Sequence, residues 1–139
     1  MKGREKADCS VLAAQMALAL SYEEAYQHLA VVGRKPRRRV PGAMFLKLGL
    51  QARWDLSGMR VSSALEFMQT GRFVVFVRGH FFAVVDGRMF DNCFDGWNKN
   101  VKVVFEVPLD NPEVLSKYPF LEKIVALDKL PDMRALNCH

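Results

Sequence analysis

The sequence predicts an α+β fold in which N-terminal helices pack on a small antiparallel β-sheet. Three observations lead there. The first third of the chain carries apolar runs with helix-start signals, at Cys9–Leu20 and after Ser21. The stretch Phe73–Phe94 reads as a strand followed by a hairpin turned at Asp86-Gly87. Val101–Val107 then carries Val101, Val103, Phe105 and Val107 at every second position, the apolar face of a strand. Helices first and strands later argue for α+β rather than for alternating βαβ units.

Taken in order, Asp8 suits an N-cap, so a helix is expected from Cys9 to about Leu20. Ala13, Ala14 and Ala17 permit close packing, and Val11, Leu12, Leu18 and Leu20 make the helix apolar on most sides, which places it at the centre of the core. Ser21-Tyr22-Glu23-Glu24 is a capping box that opens a second helix to about Val32, with Gly33 as its stop. Arg34–Arg39 is a basic loop broken by Pro36, and Pro41 opens a third helix ending near Gly49. Leu50–Trp54 suits a short strand. Ser63 and Glu66 form a second capping-box pattern, predicting a helix over Ala64–Thr70 that Gly71 ends. In Val101–Val107, residues Val101, Val103, Phe105 and Val107 are expected on one face. Pro108–Pro112 breaks the chain, and Pro119 to about Leu130 fits a helix, although Lys123–Leu127 fits a strand as well. The chain reads as one domain, 1–139, with residues after Pro131 as a tail.

An Asp-Gly pair between apolar runs specifies a type I′ turn, because both central residues need positive φ. The two-residue loop sets Val85 against Arg88, Val84 against Met89, Phe82 against Asp91 and His80 against Cys93. Alternation then gives His80, Phe82, Asp91 and Cys93 one face, and Phe81, Phe90 and Asn92 the other. The diagonal His80–Asp91 pair is ~7–8 Å apart at the backbone, within reach of a histidine meeting a carboxylate.

The net charge of +5 is concentrated in the first half, which suits an anionic partner without specifying fold or chemistry. Cys9, Cys93 and Cys138 are far apart, with no Cys-x-x-Cys pair and no zinc spacing, so free thiols in a reducing cytoplasm are expected, with no metal and no cofactor. Lys2, Arg4 and Lys6 before Val11–Leu20 mimic a secretory signal. Glu5 and Asp8 in the basic region and Gln15 in the run favour a domain helix instead. No stretch is long enough to span a bilayer, so no membrane partner is expected.

Cys9 opens its helix, where free backbone N–H groups and the helix dipole favour a thiolate. The same N–H groups suit an oxyanion hole. A cysteine so placed, with His80 and Asp91 on a sheet, has the parts of nucleophilic acyl transfer: Cys9 attacks a carbonyl, His80 carries the proton and Asp91 orients the ring. Each residue also has a plainer use, Cys9 as a small buried hydrophobe, His80 at a strand end, and Asp91 as a partner of Arg88. Asn92 is the rival third member, brought to the right face only by a β-bulge. Cys93 is the rival nucleophile, on a strand without dipole activation.

The stretches DCSVLAAQMAL, YEEAYQHLAVVGRKPRRRVPG and GRFVVFVRGHFFAVVDGRMFDN resemble the papain-like cysteine peptidases, specifically small C39-like proteins of the kind bacteriophages encode. The resemblance spans residues 8–95, and 96–139, a strand plus a C-terminal extension, is unassigned. It implies Cys9 as nucleophile, His80 as base, Asp91 as third member, and a protein or peptide substrate in a host cytoplasm. One place departs from the family: where its oxyanion-hole glutamine stands, this chain has Gly3, and such a donor is worth about 3 kcal/mol. The departure motivates a second reading, a non-catalytic module that binds and inhibits a host protein through Arg37, Arg38 and Arg39. Trp97, after the hairpin, is the candidate to line a substrate groove. Nucleic-acid binding through loop 34–39 ranks third, because the loop lacks interleaved aromatics.

Overall fold

The computed structural model describes residues 8–34, 42–90 and 99–127, the side chains of 125–127 excepted. The fold is α+β. Helices α1 (Cys9–Leu18), α2 (Tyr22–Val31) and α3 (Ala43–Lys47) precede the strands β1 (Gln51–Arg53), β2 (Arg72–Val77), β3 (His80–Val85), β4 (Arg88–Phe90) and β5 (Val101–Glu106). The short helix α4 (Val61–Ala64) lies between β1 and β2, and α5 (Pro112–Lys117) and α6 (Pro119–Leu127) come after β5. The five strands form one antiparallel sheet in the order β1-β5-β2-β3-β4.

Both faces of the sheet are covered, so its central strands are apolar on both sides. On one face Val74, Phe81, Ala83, Val103 and Phe105 pack with Val11, Ala14, Leu18 and Leu29 of α1 and α2 and with Phe45 of α3. On the other, Phe73, Val75, Val77, Phe82 and Val84 pack with Leu56, Val61, Ala64, Leu65 and Met68. Helix α1 is the buried centre, as its composition predicts, and its alanines let it lie close on β3. At its C-terminal end Ala19 takes a left-handed conformation (φ 55), and Leu20 N–H returns to the Gln15 carbonyl at 2.9 Å, a Schellman-type closure. Arg72, at the head of β2, donates Nε to the Ala17 carbonyl at 2.8 Å and Nη2 to that of Met16.

The turn at Asp86-Gly87 has φ of 49 and 82, the type I′ signature, and its register is the expected one: Val85 opposite Arg88 and Val84 opposite Met89. The expected pairs Phe82–Asp91 and His80–Cys93 lie outside the described residues. A second hairpin turns at Arg78-Gly79 and pairs β2 with β3 along their whole length.

Three expectations are corrected. Asp8 occupies the N-cap position of α1 without a side-chain cap, and its carboxylate accepts from the Tyr22 hydroxyl at 3.1 Å instead. The second capping box does not form. The helix starts at Val61, tied by Val61 N–H to the Lys99 carbonyl at 2.9 Å, which puts Ser63 inside the first turn. Val101 does not share a face with Val103. Phe76 pairs with Val103 but Val77 with Val101, so Lys102 is an extra residue in β5 and the bulge turns Val101 into the opposite core. Residues 112–117 form a helix that Asn111 caps by accepting from Glu113 N–H at 2.9 Å. Residues 119–127, readable either way in sequence, are helical, and Leu121 buries on one side.

Candidate active site

Cys9 and His80 meet. Each begins its element, Cys9 the helix α1 and His80 the strand β3, and α1 lies on β3 with these two ends together. The thiol and the imidazole are hydrogen-bonded, and the sulfur also accepts from the backbone N–H groups of Phe81 and Ser10. Val77 and His80 close a two-residue hairpin, so the peptide of the next pair, Phe76 and Phe81, turns its groups away from β2. That leaves Phe81 N–H facing Cys9 rather than the ladder. His80 stacks on Phe82, with centroids 6.5 Å apart and rings inclined at 24°.

Electrostatics at the thiol are opposed. Partial burial, the largest influence, raises its pKa; the His80 hydrogen bond, the Phe81 N–H and the His80 charge lower it, and together they hold it below the usual thiol value. The result is a thiol, half-buried rather than sealed, that ionises more readily than an ordinary cysteine.

The residues on either side of Cys9 are fixed by α2 and its C-terminal end. Asp8 and Ser10 are 5% and 2% exposed. Tyr22, in the first turn of α2, holds Asp8. Arg34, just beyond α2 and 5% exposed, donates Nε to the Ser10 hydroxyl at 3.1 Å and lies 5.3 Å over the Tyr26 ring. Local sequence puts Arg34 in a basic loop. Only the packing of the end of α2 against the start of α1 draws it inside, a tertiary effect with no local signal. Ser10, Tyr22 and Tyr26 carry no local signal of this role either. Asp91, Trp97, Arg37, Arg38 and Arg39, and the rivals Asn92 and Cys93, lie outside the described residues.

Among the described residues no group of three or more His, Cys, Asp or Glu could hold a metal ion. No helix among them is long and apolar enough to cross a membrane. In comparisons with known proteins, no family model, no curated protein and no solved structure matches the chain.

Proposed function

We propose that this protein is a cysteine hydrolase or acyl transferase with a papain-like fold, acting on a peptide or isopeptide bond. The observation that carries the reading is the hydrogen bond between Cys9 and His80 at the N-terminal end of α1. A thiolate beside an imidazolium attacks the substrate carbonyl carbon, and the carbonyl π electrons move onto oxygen. Backbone N–H groups of the first turn of α1 face that oxyanion. The C–N bond then breaks, and His80 gives its proton to the leaving amine. Water, deprotonated by the now neutral His80, attacks the thioester and regenerates the thiolate. An acceptor amine in place of water gives acyl transfer. Asp91 is the third member that the sequence assigns, orienting the ring, and on the resemblance the site of action is a host cytoplasm.

The test uses p-nitrophenyl acetate. Nitrophenol should be released in a burst equal to one acetyl group per chain, with the acetyl found on Cys9 by peptide mass mapping. His80→Ala should lose the burst while keeping its circular dichroism. Acetyl groups spread evenly over Cys9, Cys93 and Cys138, or a folded wild type that is not acetylated, would overturn the reading in favour of a non-catalytic binding module.

A further inference from the structure

Next to His80 the fold builds a cationic pocket. Arg78, in the β2–β3 turn, and the segment Lys99–Lys102 enclose a recess of about 430 Å³. Arg60 lies opposite this segment at the backbone, where Arg60 and Asn100 form a β-bridge. Arg78, Lys99 and Lys102 are exposed, and neither they nor Arg60 forms an ion pair with a described residue. This contrasts with Arg53, on the edge strand, which is paired with both Asp55 and Glu106. The backbone beneath the pocket is tied down. Val61 N–H reaches the Lys99 carbonyl at 2.9 Å, Val101 N–H the Met59 carbonyl at 2.7 Å, and Ser57 Oγ the Lys102 carbonyl at 2.6 Å. The bulge at Lys102 is the kind of irregularity that re-aims a side chain beside an active site. Arg78 is two residues from His80, so their Cα atoms are at most ~7 Å apart.

Like charges with no ionic partner among the described residues, held on a fixed backbone, repel one another and are relieved by an anion. We propose that this pocket is the anion subsite of the Cys9–His80 centre, and that it selects peptide substrates with a carboxylate side chain close to the bond attacked. The inference rests on the acyl-transfer reading for its substrate, while the pocket's charge can be measured without turnover. An acidic peptide is favoured over nucleic acid because the described lining, Arg78, Lys99, Asn100, Val101 and Lys102, holds no aromatic for bases to stack on.

The experiment compares alkylation of Cys9 by iodoacetate and by iodoacetamide, with glutathione as the reference thiol. The subsite predicts an iodoacetate preference about fivefold above that of glutathione at low salt, collapsing at high salt where the Debye length shrinks. The combined variant Arg78→Gln, Lys99→Gln, Lys102→Gln should lose the preference, its iodoacetate rate falling about fivefold further than its iodoacetamide rate. Lys123→Gln, on α6, should change neither. A short glutamate peptide should protect Cys9 better than the corresponding glutamine peptide. A preference equal to that of glutathione, or one the combined variant leaves intact, overturns the subsite even if Cys9 is fast. A slow Cys9 that still prefers iodoacetate overturns the acyl-transfer reading and leaves the anion site standing. Protection by an oligonucleotide that exceeds protection by the glutamate peptide overturns the acidic-peptide assignment.

Discussion

The Tyr22 hydroxyl donates to Asp8 Oδ2 at 3.1 Å, joining the residue before the candidate nucleophile to the first turn of the next helix. The bond does for α1 what a local cap would have done: it fixes the angle at which the chain enters the helix, and with it the position of Cys9. Arg34 on Ser10 fixes the other side.

Tyr22→Phe removes that donor from a carboxylate that stays buried. A loss of about 1–3 kcal/mol of folding stability is expected, read as a lower urea midpoint at unchanged slope. In an Asp8→Asn background, where the acceptor is no longer a carboxylate, the same change should cost less. Equal losses would mean that the Tyr22–Asp8 bond contributes nothing specific.

The pH dependence of Cys9 comes from the balance of its neighbours. A lowered thiol pKa means that alkylation by iodoacetamide persists as pH falls below ~8.5, where an ordinary thiol has already been protonated. In His80→Ala the burial remains, opposed only by the two backbone N–H groups, so the thiol pKa should rise. Each unit of rise removes about tenfold of the thiolate at neutral pH. Rate against pH from 5 to 10 for both proteins checks the sign; a variant whose curve shifts to lower pH contradicts it.

The elements that carry Cys9 and His80 are legible in the sequence because each residue sits at a position with local signals, whereas the meeting of the two follows from no local rule. Asp8 marks the helix start, and Asp86-Gly87 fixes the hairpin that holds His80. The two-sided burial of the sheet is not legible, since an apolar run such as Phe73–Val77 reads the same whether one face or both are covered. The bulge at Lys102 is hidden because Val101, Val103, Phe105 and Val107 are apolar at every second position, and only pairing with β2 shows that Val101 has changed sides. Ser63 and Glu66 make a valid capping pattern that loses to the burial of Val61 two residues earlier. In each case a long-range contact outweighs a local preference worth about 1 kcal/mol.

Arg72 is the counterpart of Cys9 at the other end of α1. Its guanidinium, largely buried and close to Asp86, bonds two carbonyls where the helix dipole is negative. Burial pulls its pKa down and Asp86 opposes this, yet an arginine so far above neutrality stays charged. Arg72→Ala leaves the carbonyls of Met16 and Ala17 without that donor and should cost about 2–4 kcal/mol in chemical denaturation. Arg72→Lys keeps the charge and loses the fork, so it should recover part of the loss. Full recovery would show that charge alone, rather than the two directed bonds, closes the helix.

Tyr118 ties the C-terminal helices to the body. It is fully buried, and its hydroxyl donates to the Leu48 carbonyl at the end of α3. Burial pushes its pKa up to about 12, against ~10 in an unfolded chain. Between those values the unfolded chain has released the proton and the folded one retains it, so the folded state binds more protons and stability must fall as pH rises. The contribution is complete below pH ~10 and is lost through about 12. Tyr118→Phe should lower stability by about 1–2 kcal/mol at neutral pH, through the lost hydrogen bond, and flatten the alkaline decline. Urea unfolding at intervals from pH 7 to 12 separates the two effects. If the variant declines as steeply as wild type, the alkaline sensitivity belongs to other groups, and the phenol would be held by its packing under His28, 5.2 Å away between ring centroids, rather than by a proton it must keep.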